Sequence, residues 1–380
     1  MARTAYHVLT ITAIVVQLAC RNALYPQQVV NLSDSTQSLS TRWQHALRHA
    51  SAQSMTGGFW IGYSFKKVMP ENSFVGSYSS DPDKNKPSLR EMITGIRVED
   101  HWAHEMHNFE GEMEGEFSFE NGERHVSQIV KEIGVLMHIR NPQNQDINEV
   151  NVSNLSLHVS LHGDPLIWIG NVPGDESVDL LRGEYEKSSS SEIRKKIITA
   201  VGIHSPTERV FQFLRSILLG SDPGILRKEA AFWIGQCNLD EAVALLEHLA
   251  EDDTAGGVRE QSIVGLGAMK NAEAGESLIR LARDAPKEDV RKTAAFWLGQ
   301  KASAKIAATD RESGGKDNDL EIKKKAVFAL YELPAAGGVE SLIQVAEKNQ
   351  EVPLRKEAIF WLSQIESPRA LEALIQIIRN

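Results

Sequence analysis

The sequence predicts an α+β protein of more than one domain, with a β-rich N-terminal domain followed by an α-solenoid. Two patterns carry that prediction. The string Leu226–Gln236 (LRKEAAFWIGQ) returns as Val290–Gln300 (VRKTAAFWLGQ) and Leu354–Gln364 (LRKEAIFWLSQ), with looser copies at Val258–Ala268 and Ile322–Glu332. Its basic residue falls at Arg227, Arg259, Arg291, Lys323 and Arg355, a constant step of 32 residues, and a fixed period in this range marks stacked repeats. The first half instead carries short aromatic and β-branched runs between turn residues, which is the pattern of strands.

At 380 residues with 42% hydrophobic content the chain has room for two folded domains. A formal charge of −10 argues against a general nucleic-acid binder. Arg3 and His7 precede the apolar run Val8–Ala19, so residues 1–23 read as an export signal; the run is shorter than the ~20 residues a membrane span requires. Leu18-Ala19-Cys20 resembles a lipoprotein box, which makes Cys20 a lipidation candidate, although Gln17 stands where that pattern has a branched apolar residue. The expected address is the periplasm or cell envelope, or secretion, with membrane contact only through the signal or such a lipid anchor. Cys237 is the other cysteine, so no internal disulfide is expected in the mature chain.

Residues 24–40 read as a linker. Thr41–Gln53 can form a short helix with Trp43, Leu47 and Ala50 on one side, ended by Gly57-Gly58. Phe59–Phe65 is the clearest strand, and strands are also expected at Met92–Val98, Glu116–Phe119, Ile133–Ile139 and Val150–Leu161, with a hairpin turn at Asn121-Gly122. Together these define a β-rich domain over residues 41–165. Leu166–Asn171 and Asp175–Leu181 match Phe232–Gln236 and Asp240–Leu246, so residues 166–192 read as a half-repeat cap and joint, followed by six repeats over 193–380.

Each repeat reads as two helices. In the first, Leu226, Ala230, Trp233 and Ile234 make one apolar stripe. The second spans Glu241–Leu249, with counterparts at Glu276–Ala282, Val339–Ala346 and Ala370–Ile378, and prolines sit at the joints. Residues 303–319 depart from the rule, because Ile306 is their only large aliphatic where the sibling units carry several. A short second helix and a loop around Gly314-Gly315 are expected there.

These units resemble the HEAT-like repeats of the phycobilisome-lyase type, whose first helix has a Val-Arg pair, small residues and Ala-Leu-Gly, and whose second is leucine-rich. The resemblance covers residues ~166–380 and implies an α-solenoid that serves as a scaffold or protein-binding surface. The same repeat occurs in bilin lyases and in iron-dependent deoxyhypusine hydroxylases. The hydroxylases carry His-Glu pairs within their repeats, whereas the His-Glu pair of this chain, His104-Glu105, lies outside them.

Four phenylalanines, Phe232, Phe296, Phe328 and Phe360, fall about 150° from the middle of the apolar arc. Leaving such a ring wet forgoes roughly 1.5–3 kcal/mol, so either a neighbouring part of the chain or a protein partner covers it. Trp233, Trp297 and Trp361 are 64 residues apart, with Gly265 and Ala329 at the intervening positions; they read as inter-repeat core, or alternatively as ligand-facing rings. The ladder Arg227, Arg259, Arg291, Lys323 and Arg355 reads as inter-repeat hydrogen bonds and ion pairs rather than a phosphate-binding stripe. His101, His104 and His107 could approach one metal ion if helical, although they would span an arc of about 120°; a solvated His-rich segment is the alternative. No nucleophile elbow, phosphate loop or dinucleotide fingerprint is present, so no catalytic residue and no cofactor are assigned. The reading is an exported, non-catalytic scaffold that binds an unidentified protein and no nucleic acid. A metal-dependent enzyme or sensor in the His-rich region, and a lyase or hydroxylase activity in the repeats, are the alternatives.

Overall fold

The computed structural model describes residues 28–55, 57–76, 86–96, 127–309, 324, 327, 328, 330, 331 and 335–379. They divide into two compact units that meet in sequence at Ser205 and Pro206. The first contains a five-stranded sheet: β1 (Val29–Asn31), β2 (Phe59–Pro70), β3 (Gln128–Ile139), β4 (Ile147–Asn154) and β5 (Leu166–Asn171). The order is β1-β5-β2-β3-β4. β1 and β2 run parallel to β5, while β2–β3 and β3–β4 are antiparallel.

Phe59–Phe65 is apolar at nearly every position because the sheet is covered on both faces. Trp60 joins Leu136, Leu166 and Trp168 in a core closed by α2 (Leu89–Thr94) and the chain from Leu155 to Leu161. Gly62 is required on that face, since a Cβ there would lie 2.6 Å from Leu136 Cδ2. Tyr63 points to the other face, where α1 (Leu39–Ala52), α3 (Gly174–Lys187) and α4 (Ser191–Gly202) pack on the sheet. Arg42 of α1 is buried, and its Nη1 donates to the carbonyls of Ile169 at 2.7 Å and Asn171 at 3.2 Å.

Four expectations are corrected in this unit. Val29–Asn31, assigned to the linker, extends the sheet as an edge strand. Met92–Val98 is not a strand at its start: Leu89–Thr94 is helical, begun by a Ser88–Glu91 capping box and ended by Gly95 at φ 66°. The strand placed at Val150–Leu161 runs earlier, over Ile147–Asn154. Leu166–Asn171 is a strand and not the first helix of a half-repeat, because its hydrogen bonds to β1 on one side and β2 on the other override its local likeness to Phe232–Gln236. Glu116–Phe119 and the Asn121-Gly122 turn lie outside the described residues.

The second unit consists of packed helices: α5 (Glu208–Leu218), α6 (Gly224–Cys237), α7 (Asp240–Asp252), α8 (Gly256–Ala268), α9 (Ala272–Asp284), α10 (Glu288–Thr309), α11 (Ala335–Lys348), α12 (Val352–Gln364) and α13 (Pro368–Arg379). Residues 324, 327, 328, 330 and 331 are also helical. First helices α6, α8 and α10 stack side by side in parallel. A Cβ on Gly235 would lie 2.4 Å from Gly265 Cα, and one on Gly267 would lie 2.4 Å from the Trp297 ring. The tryptophan therefore meets Gly267 rather than Gly265.

The departing repeat behaves differently from its expectation. In place of a short second helix, α10 continues unbroken to Thr309. A helix that omits its turn delivers the chain to the opposite end of the stack, so the polarity of later helices is inverted. Accordingly α13 is antiparallel to α9: Arg379 pairs with Glu276 at 2.7 Å and Glu372 with Arg283 at 3.1 Å. α12 is likewise antiparallel to α10, with Ser363 against Gly299 and Glu366 paired to Lys292. The core behind this seam gathers Ala302, Leu342, Leu354, Ile359, Leu362 and Leu374.

Candidate protein-interaction surface

The first helices form one layer of the repeat unit and bury one side against the second helices. In α10 that side carries Ala294 and Leu298, and in α12 it carries Ala358 and Leu362, all at most 1% exposed. Helical geometry puts Phe296 and Phe360 on the opposite, outer side. Phe232 and Phe296 are half-buried, whereas Phe328 and Phe360 are 39% and 38% exposed. Each of Phe232, Phe296 and Phe360 sets its ring edge-on to the adjoining tryptophan at 5.2, 5.8 and 4.9 Å. Trp361 also meets Phe328 at 4.8 Å and Tyr331 at 4.7 Å, so four rings gather at one place. Trp233 is 5% exposed, while Trp297 and Trp361 are only partly buried. Glu229 and Glu357 accept the indole N–H of Trp233 and Trp361 at 3.0 and 2.8 Å.

The basic ladder closes helix ends. Arg227 donates to the Leu218 carbonyl at 3.0 Å, Arg259 to Asp253 at 3.1 Å, Arg291 to Ala285 at 2.7 Å and Arg355 to Ala346 at 3.2 Å. Each acceptor lies at the C-terminal end of the preceding second helix, where carbonyls lack intrahelical partners and a cation is favoured. Arg227 also pairs with Asp253, whose side chain is almost wholly buried, and Arg259 pairs with Asp289 at 2.9 Å. Arg194 repeats the arrangement in the sheet unit, donating to Ser188 at 2.7 Å. Lys323 lies outside the described residues, as do His101, His104, His107 and Cys20.

A second ladder at the other end of the first helices escaped sequence reading. Asn238, at φ 51°, accepts from the Lys270 N–H at 2.8 Å, and Asn271 donates to Asp240 at 3.0 Å. Lys301 then donates to the Met269 carbonyl; burial pushes its ammonium pKa down. The Asn238-Leu-Asp and Asn271-Ala-Glu strings, 33 residues apart, were the available signal.

The sheet unit holds two polar networks that the sequence did not mark. Tyr63, Ser177 and His204 form a buried chain. His204 Nδ1 donates to the Ala200 carbonyl at 2.8 Å, which fixes the tautomer, so Nε2 accepts from Ser177 at 2.9 Å and Ser177 accepts from Tyr63 at 2.9 Å. Burial pushes the His204 imidazole down to about 4 and raises the Tyr63 phenol far above its usual range. Ser177 is fully buried, so this chain fastens helices to the sheet and offers no accessible nucleophile. The other network joins His138 to Asn148 at 2.7 Å and Asp164 at 2.9 Å, with His162 beside Glu149 at 3.6 Å. Among the described residues no three His, Cys, Asp or Glu side chains group as a metal site, and no helix is long and apolar enough to cross a membrane.

Stacked helix pairs with this period define a helical-repeat segment that follows the sheet unit in sequence. Residues 211–299 match the family of HEAT repeats, and residues 354–380 match the PBS lyase HEAT-like repeat. The C-terminal half thus carries HEAT repeats and a PBS lyase HEAT-like repeat. No curated protein matches the chain. Among solved structures, human deoxyhypusine hydroxylase in complex with glycerol is similar at 16% identity and a TM-score of 0.29, over 54% of this chain and 93% of that one. At that level the likeness bears on neither activity nor ligand here.

Proposed function

We propose that the protein is an exported scaffold that binds another protein through the outer side of its first-helix layer. The observation that supports this reading is the exposure of Phe328 and Phe360 beside Trp361, with Ala358 and Leu362 buried on the opposite side of the helix that carries Phe360. Aromatic rings of this kind supply large contact area with few rotatable bonds, and they dominate interface energetics where a partner excludes water. The test is affinity capture with cross-linking from envelope extracts, using the mature protein and a Phe296→Ser/Phe360→Ser variant of matched circular dichroism. At least a tenfold loss of captured protein is expected in the variant, and equal capture would remove the aromatic face from consideration.

Export rests on Arg3, His7 and the apolar run Val8–Ala19. Mass spectrometry of the protein recovered from its producing cell is expected to show loss of part or all of residues 1–23. A lipid adduct on Cys20 would identify the anchored form, and an intact leader on the accumulated protein would sink the proposal of export.

A further inference from the structure

Three described first helices stop at equivalent places. α6 ends at Cys237, α8 at Ala268 and α12 at Gln364. Carried along by the 32-residue period, all three ends map to residue 300 or 301 of α10. The second helices begin at Asp240, Ala272 and Pro368, and all three starts map to residue 304. The repeat pattern therefore specifies a chain reversal at 301–304, where α10 instead runs straight on to Thr309.

We propose that residues 301–309 are a conformational switch with two states, the continuous helix seen here and the helix–turn–helix of the sibling repeats. In the first state α12 and α13 lie antiparallel against α10 and α9. In the second they stack parallel, after the preceding repeat has taken its place beside α10. The surfaces for both states are built. Gly299 falls at the position of Gly235 and Gly267, the small residues through which α6 and α8 admit a parallel neighbour. The same Gly299 edge holds Ser363 in the antiparallel seam.

The antiparallel state is also lightly fastened in polar terms. Among the described residues its ion pairs Arg283–Glu372, Arg379–Glu276 and Lys292–Glu366 all join side chains that are 41% or more exposed, and exposed pairs of this kind are weak. The continuous helix further carries Lys301 into a largely buried position whose siblings are Cys237, Met269 and Ile365, with its ammonium on the Met269 carbonyl.

Ala304→Pro separates the states cleanly. Residue 304 is the equivalent of Pro368, which opens α13, and proline is tolerated in a first helical turn. Within an uninterrupted helix proline is strongly disfavoured, by roughly a hundredfold in population. The experiment uses the full chain carrying Cys20→Ser/Cys237→Ala, with spin labels at Glu276→Cys and Arg379→Cys, read by electron–electron dipolar spectroscopy. Two separations are expected in the parent, and loss of the short one in Ala304→Pro with unchanged helical content. A folded Ala304→Pro that keeps the short separation overturns the proposal. If Ala304→Pro fails to fold, the parent decides, because a single separation there overturns the proposal as well.

Discussion

Burial penalises the charged ring of His204, and the nearby Lys67 ammonium adds to that penalty. Phe65 stacks on the imidazole at 3.8 Å, and both ring nitrogens are committed within the buried chain through Ser177 to Tyr63. Its folded-state pKa of about 4 lies below the ~6.5 of an unfolded histidine. The unfolded chain therefore takes up the proton first as pH falls. Stability from this residue is fully present above pH ~6.5 and is lost progressively down to about pH 4, reaching roughly 3 kcal/mol. Thermal unfolding of the wild type and His204→Gln between pH 7 and 4.5 checks this: the wild-type midpoint should fall more steeply. Parallel curves would show that His204 takes up its proton at the same pH folded and unfolded, and would overturn the lowered value. Nothing in the Val201-Gly-Ile-His204 string distinguishes this histidine from an exposed one, since its burial is imposed by Phe65 and Ser177 from distant stretches.

At the scale of elements, two glycines inside helices should respond oppositely to the same change. Gly183 of α3 has open space where a Cβ would go, so Gly183→Ala should stabilise by up to about 1 kcal/mol through helix propensity alone. Gly235 of α6 is in backbone contact with Gly265, so Gly235→Ala should destabilise by about 1–3 kcal/mol despite the same propensity gain. Urea midpoints of the two variants decide it, and a stabilised Gly235→Ala would mean that α6 and α8 are not in contact there. The helices themselves were legible, since the stripe Leu226, Ala230, Trp233 and Ile234 buries as its spacing predicts. So were Phe59–Phe65 and Ile133–Ile139, whose apolar character, interrupted by Ser64 and His138, reflects a sheet covered on both sides. What local reading mistook were Met92 and Ile93, where a Ser88–Glu91 capping box outweighs two apolar side chains, and Leu166–Asn171, where flanking strands outweigh a repeat-like string. The outer placement of Phe296 and Phe360 followed from angle alone. The gathering of Phe328, Tyr331 and Phe360 around Trp361 did not, because it depends on how successive helices are brought together.

For the repeat unit as a whole, a constant period predicts a stack of constant polarity, and one unbroken helix is enough to cancel that prediction for everything after it. The consequence is concentrated where α10 crosses α12. A Cβ on Gly299 would come within 2.6 Å of Ser363 Cβ and 3.5 Å of the Ile359 carbonyl. Gly299→Ala should therefore cost about 1–3 kcal/mol through overpacking. Ser363→Gly removes the atoms in the way, at its own cost of up to about 1 kcal/mol in helix propensity. If the seam is as described, the two changes are coupled: the double variant should be more stable than the sum of the single losses by about 1 kcal/mol or more, the behaviour of side chains in direct contact. Calorimetric unfolding of the four proteins closes the cycle. Strict additivity would place Gly299 and Ser363 apart, and with them the antiparallel pairing of α10 and α12 from which the inverted polarity of the last helices is inferred.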